Sequence, residues 1–406
     1  MPQKEKSKRG GIIPKSRRNT ISCQTSAVDA VSSINNLISR MNNRINNQDD
    51  LSESGAAINL QIGLDTANEA IRQNINNNYE DDQFFYADHE REFQETLINS
   101  EAEDFQYEYE NVLNGSNNTF GLEIEFVDGN ANAIARELYD MGICGYDHQV
   151  QYHAPSVIGK WKLEKDCSLG IRGGELVSPP LRDTPETWQT LQTICDVAKR
   201  HNAKVNSHCG GHIHIDMNPL DTAEHRWRRF FKATGSFEPV MYRFAGGDSG
   251  QVRSGVDHYA TPFAPNASRV LDQNFPVTNS TDINRLATDA SRYNRYYGVN
   301  LTNIHDSDKP NTIELRYFNS SLEPAILQTN VKIANGIIFA SEKARFGSTS
   351  ESEAMKRRGN ILKDQIIGSN DSNSNLKVRD FVDIVFTRKK DKDSVLKLYS
   401  KNAWYT

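Results

Sequence analysis

Four stretches of the chain set reactive side chains at alternate positions, opposite apolar neighbours. They are Glu123 and Glu125 in GLEIEF, Glu175 in GGELVSP, His212 and His214 in GGHIHID, and Glu314 with Arg316 in TIELRYF. Alternation with period two places such residues on one face of a β-strand. If these strands join one sheet, several carboxylates and two imidazoles share a surface. Carboxylates a few ångströms apart raise one another's pKa, and their burial is costly unless a cation neutralises them. Hard oxygen donors with one or two imidazoles suit Mg²⁺ or Mn²⁺, whereas zinc favours cysteine or a three-histidine set. Each motif alone is an ordinary exposed strand. Together they point to a metal-assisted site.

The elements needed to position these residues are legible around them. Phe120, Leu122, Ile124 and Phe126 alternate with Glu123 and Glu125. A short helix over residues 130–141 stops at Gly142,. WKLEKD and GGELVSP read as strands, the second ended by Pro179 and Pro180,. Thr184–Pro185–Glu186 opens a helix with proline at its first position,. The pattern then predicts one long helix from about Asp221 to Phe244, strands in YGVNL and NTIELRYF, and a helix from Pro324 to about Arg345. Strands and helices in this order predict an α+β domain, one sheet with helices on its apolar side.

Composition divides the chain into three. Residues 1–117 form a low-complexity N-terminal extension, expected to be largely disordered or partly helical. It has a basic start, an amphipathic stretch (Val28, Val31, Ile34, Leu37, Ile38, Met41, Ile45) suited to self-association, and an acidic block over 79–110,. Residues 118–345 carry the motifs, and 346–406 are expected to form a helical segment packed on that domain. A net charge of -6 gives no argument for nucleic acid or an anionic membrane,. No apolar run has membrane-spanning length. The five cysteines form no CxxC pair, which argues against a zinc knuckle or a disulfide framework,. With no apolar stretch behind the basic start, a cytoplasmic protein is expected. AGGDSG at 245–250 lacks the Lys–Ser/Thr of a phosphate-binding P-loop and reads as a flexible loop,.

Residues from about 119 to 340 resemble the amidoligase family of carboxylate–amine ligases. The matching segments are GLEIEF, WKLEKDCSL, GGELVSPPL, CGGHIHID, and RYNRYYGVNL running into TIELRYFNSSLEP, in that order. The resemblance implies a glutamine-synthetase-like fold, in which a curved antiparallel sheet lines a funnel for two divalent ions and ATP. It implies that Glu123, Glu125, Glu175 and Glu314 are metal ligands and that His212 ligates the second ion. His214 is then expected to reach the ATP phosphates and Arg316 the transferring phosphoryl group, with Arg292 and Arg295 as further phosphate contacts. Asp166 and Ser168 match the family's DxS element, implying substrate or ammonium binding, with Asp166 as candidate base.

The expected activity is therefore ATP- and Mg²⁺- (or Mn²⁺-) dependent joining of an acid to an amine through an acyl-phosphate. The partners are a carboxylate and an amine, with peptides and proteins among the candidates. Two other readings share these residues: a phosphotransferase on the same fold, and a non-catalytic nucleotide-binding scaffold. Retention of every motif carboxylate, both histidines and Arg316 favours the ligase.

Overall fold

The computed structural model describes residues 105–247, 255–273, 275–304, 311–343 and 374–402. The basic start, the amphipathic stretch over 28–45 and its self-association, most of the acidic block, and residues 248–250 of the glycine-rich loop lie outside these residues.

Strand β1 (Phe120–Phe126) buries Phe120, Leu122, Ile124 and Phe126 on one face and turns Glu123 and Glu125 to the other. It lies inside a six-stranded sheet formed with β2 (Lys162–Glu164), β3 (Gly174–Val177), β4 (Gly211–Asp216), β5 (Val299–Asn300) and β6 (Thr312–Leu315). The order is β2-β3-β1-β4-β6-β5, every neighbouring pair is antiparallel, and the sheet is open, with β2 and β5 as its edges. Register then aligns the motifs across strands. Glu164 is opposite Glu175, which is opposite Glu125; Glu123 is opposite His212; His214 is opposite Glu314, which is opposite Asn300. Glycine matters at the start of β4, because a Cβ on Gly211 would lie 2.7 Å from the Asn319 carbonyl oxygen. Only a bare backbone fits there.

Helices pack on the apolar side. Asn130 caps α1 (Ala131–Asp140) by accepting from the Ala133 amide, and Gly142 turns the chain away with φ +74°,. Thr184 caps α2 (Pro185–Arg200), which stacks Trp188 on Phe120 at 5.5 Å. The expected long helix over 221–244 is two: α3 (Glu224–Ser236) and α4 (Glu238–Phe244). Pro239, in the first turn of α4, has no amide hydrogen to continue a helix through Phe237, and that break outweighs the apolar periodicity across it,. Next come α5 (Val256–Tyr259), α6 (Ala264–Leu271) and α7 (Ser280–Ser291).

Helix α8 (Pro324–Lys343) is buried on nearly every side, packed against β4, α3, and the C-terminal helices α9 (Ser374–Val385) and α10 (Lys389–Lys401). Phe381 of α9 meets Phe237 and Phe244 at 5.4 and 5.3 Å. The buried polar groups of α8 hold residues 105–118. Gln328 accepts from the Glu108 amide at 2.9 Å and donates to its carbonyl at 2.6 Å, and Asn335 accepts from Ser116 and Asn118. Residues 105–117, grouped by composition with the extension, thus belong to the folded domain, with Val112 and Leu113 in the core. The asparagine-rich stretch NVLNGSNN hid those apolar anchors. Among the described residues, no helix is long and apolar enough to cross a membrane.

Candidate active site

The polar face of the sheet lines a cavity of about 690 Å³, within the range of roughly 300–1,000 Å³ usual for small-molecule sites. Glu123, Glu125, Glu175, His212, His214, Glu314 and Arg316, from separate strands, all reach it. Among the described residues, two groups of donors are tight enough to hold an ion: Glu123, Glu175 and His212, and Glu123, His214 and Glu314. Within each group the donor atoms lie within 4.8 Å of one another. Glu123 belongs to both. Its Oε2 is 2.8 Å from His212 Nδ1 and its Oε1 is 3.0 Å from His214 Nε2.

The electrostatics separate these residues. Burial and the neighbouring carboxylates Glu123, Glu125, Asp166 and Glu164 push the Glu175 carboxyl well above its ordinary value, and it accepts no hydrogen bond from the described residues. Burial opposes ionisation of Glu123 and of Glu314. His214 and His212 hold Glu123 well down, and His214 with Arg316 lower Glu314,. Burial and the Arg316 charge bring His212 down to about 4, so its imidazole is neutral near pH 7. Burial alone would lower His214 too, but the Glu123 and Glu314 carboxylates outweigh it and raise it to about 9. His212 Nε2 is buried, with no hydrogen-bond partner among the described residues. A buried, partnerless imidazole nitrogen beside a carboxylate that accepts no hydrogen bond fits a divalent cation, and the oxygen-rich donor set fits a hard one.

The remaining expected residues are placed less uniformly. Glu125 faces the cavity, but its Oε2 accepts from the Gly210 amide at 2.5 Å and it belongs to neither tight group. Asp166 lines the wall, with Oδ1 accepting from the Ser168 amide at 2.6 Å to cap the short turn Cys167–Leu169. Arg316 pairs with Glu314 and donates Nε to the Tyr259 carbonyl at 3.1 Å. Arg295 lines the mouth, whereas Arg292 is exposed and does not line it. Arg292 and Tyr293 are both left-handed, with φ of 48° and 59°, and that turn sends Arg292 outward before the chain returns at Arg295.

Several lining residues lay outside the sequence reading. Asn300 donates to Glu314 Oε2 at 2.6 Å, and Asn303 and Thr312 each lie 3.4 Å from His214 Nδ1. Half-buried Lys162 pairs with buried Glu164 at 2.5 Å on β2. Their alternation in WKLEKD, and that of Asn300 in YGVNL, carried the same signal as Glu123 and Glu125. Tyr152, Tyr259 and Tyr296 come from loops and short turns, where no periodicity marks them.

An α+β domain with carboxylates, imidazoles and an arginine gathered on one sheet face has the equipment of a metal-assisted enzyme. The family model described as "putative amidoligase enzyme" matches residues 116–338, more than half of the 406-residue chain, and the chain belongs to that family, which makes it an enzyme of ligase type. Comparison with curated proteins finds no match.

Proposed function

We propose that this protein is an ATP- and divalent-metal-dependent carboxylate–amine ligase that forms an amide or isopeptide bond through an acyl-phosphate. The observation that carries this reading is the two donor groups sharing Glu123, beside Arg316, in a member of the amidoligase family. Glu123, Glu175 and His212 would hold one ion, and Glu123, His214 and Glu314 a second, with Glu125 in support across β1. Mg²⁺ or Mn²⁺ bound there supplies Lewis-acid neutralisation of phosphate oxygens.

The chain's own groups then have defined tasks. A carboxylate is a poor electrophile, so its oxygen first attacks the γ-phosphorus of ATP. The bond to the bridging oxygen breaks, and ADP leaves. Arg316, fixed by Glu314 and the Tyr259 carbonyl, presents its guanidinium to the phosphoryl oxygens as charge moves,. Arg295 at the mouth contacts the polyphosphate, and His214, charged near pH 7 without an ion, would give up its proton to serve as a ligand of the second ion. The amine nitrogen attacks the acyl carbon, inorganic phosphate departs with the bonding pair, and the surplus amine proton passes to a base. Asp166 is the candidate base, facing the cavity with one oxygen beyond its Ser168 contact,. We propose the cytoplasm as the compartment of this reaction.

The deciding assay follows ADP release with Mg²⁺ across panels of acids and amines, with hydroxylamine as a trap. A ligase yields an acyl-hydroxamate and releases ADP only with both an acid and a nucleophile. Phosphorylated acceptor without amide product would make the protein a phosphotransferase instead.

A further inference from the structure

The opposite edges of the sheet are tied together above the cavity. Tyr152 precedes edge strand β2 and Arg295 precedes edge strand β5, and the Arg295 guanidinium donates to the Tyr152 hydroxyl at 3.3 Å. Beside this link stands Tyr296. Its ring centroid is 5.4 Å from Arg295 Cζ and 5.9 Å from Arg316 Cζ. His258 stacks on the same ring at 5.9 Å with 20° between planes, and Tyr259 meets it edge-on at 6.4 Å. The residue next to His258 supplies the carbonyl that takes Arg316 Nε.

Two guanidiniums therefore share one aromatic ring. The ring quadrupole attracts both cations, so one side chain orients the two,. Arg316 is also neutralised by Glu314, but Arg295 makes no ion pair with a carboxylate among the described residues. The ring thus gathers two planar forks that suit phosphate oxygens, one of them without a paired carboxylate among the described residues,. One fork satisfies a carboxylate; two adjacent forks suit a chain of phosphates.

We propose that Tyr296 is a positioning residue that orients Arg295 and Arg316 on one ring as a two-guanidinium receptor for a polyphosphate at the cavity mouth, with Tyr152 fixing the Arg295 end. This rests on the reading of Arg316 as the arginine that meets the phosphoryl group, and it adds the element that aligns it.

The test is calorimetric titration of inorganic tripolyphosphate into the full chain in excess Mg²⁺ at fixed ionic strength. Tyr296→Leu is expected to weaken binding roughly tenfold, and Tyr296→Phe, which keeps the ring, to stay within about twofold of the parent. Mn²⁺ affinity without tripolyphosphate should be the same in all three. In an Arg295→Met background, Tyr296→Leu should cost less than in the parent, because one of the cations it aligns is gone. Parent-like binding by Tyr296→Leu overturns the proposal, as does an equal cost in both backgrounds or a Phe variant as weak as the Leu variant. Tyr296 is 39% exposed, which favours folding of the variants. Should Tyr296→Leu nevertheless not fold, Tyr152→Phe, which deletes one exposed hydroxyl, must weaken tripolyphosphate by roughly two- to fivefold, and unchanged affinity there also overturns the proposal. Tight tripolyphosphate binding without any acyl-hydroxamate would sink the ligase and leave the receptor standing. Hydroxamate formation with a parent-like Tyr296→Leu titration would do the reverse.

Discussion

Two buried charge clusters in this molecule follow different rules. On the helical side, Lys332 lies 2.6 Å from Glu108 and 3.3 Å from Asp391, Arg388 grips Asp391 at 2.6 and 2.9 Å, and Lys390 pairs with Glu108. Every charge there faces an opposite one, and the cluster clamps the segment around Glu108 to α8 and α10. On the sheet side, Glu175 sits among Glu123, Glu125, Asp166 and Glu164, and its carboxylate accepts no hydrogen bond from the described residues. The first cluster is complete within the chain. The second holds more buried carboxylates than the cations Lys162, His214 and Arg316 beside it, and we propose that a divalent ion makes up the difference. Internal balance marks a structural role, and buried imbalance inside a cavity marks a functional one.

The comparison is broken most forcefully at Arg316, the cation beside the unbalanced cluster. Arg316→Ala should lower kcat by roughly 10²- to 10³-fold, the loss typical of removing a group that stabilises developing charge. KM for ATP should change far less. A collapse of ATP affinity with a normal rate for bound ATP would move Arg316 from the transition state to simple binding.

The balanced cluster should respond in stability, not chemistry. Lys332→Met leaves Glu108 and Asp391 facing one another without the buried cation, a change expected to cost about 3–5 kcal/mol. Urea unfolding measures it. A loss under about 1 kcal/mol would mean that Arg388 and Lys390 suffice and the clamp is weaker than its geometry suggests. Glu175→Gln should move stability the other way, raising the metal-free Tm by a few degrees, because a repelled carboxylate becomes neutral. The same variant should lose most of the Tm increase that Mn²⁺ gives the parent. A metal-free Tm that falls would show Glu175 to be structural.

Much of this contrast was legible in the chain. Alternation exposed Glu123, Glu125, His212, His214, Glu314 and Arg316, because a strand converts spacing into facing without help from the rest of the fold. Thr184 and Pro185 announced a helix start for the same local reason. What escaped depends on distant partners or on backbone signs. Arg292 and Arg295 look equivalent in RYNRYY, and only the left-handed pair at Arg292 and Tyr293 separates them. Tyr152, Tyr259 and Tyr296 reach the mouth from three separate segments. The anchors Tyr107, Val112 and Leu113 lie in acidic and then asparagine-rich sequence that reads as solvated, and their value appears only against Trp188 and α8. Pro239 was a visible break signal that periodicity masked.

The finest distinction between the clusters is the sign of their pH dependence in the metal-free protein. Burial opposes ionisation of Glu108, but Lys332 and Lys390 outweigh it and hold its carboxyl below the ordinary 4.5. Glu108 therefore contributes stability that is present above 4.5 and lost as pH falls through its folded value. Glu175 is raised above 4.5 by burial and its carboxylate neighbours, so its contribution is full below 4.5 and is lost as pH rises through its folded value,. Glu108→Gln should accordingly flatten the acid side of a plot of Tm against pH, and Glu175→Gln the side above 4.5. Mn²⁺ should reverse the second slope, because a bound cation favours the ionised Glu175 and the neutral His214, whose value of about 9 means that a proton is displaced at neutral pH,. Titration in two buffers of different ionisation enthalpy measures that release directly. A binding heat independent of buffer would mean that the cation enters without displacing any proton, and the contrast between the two clusters would then lie in geometry rather than charge.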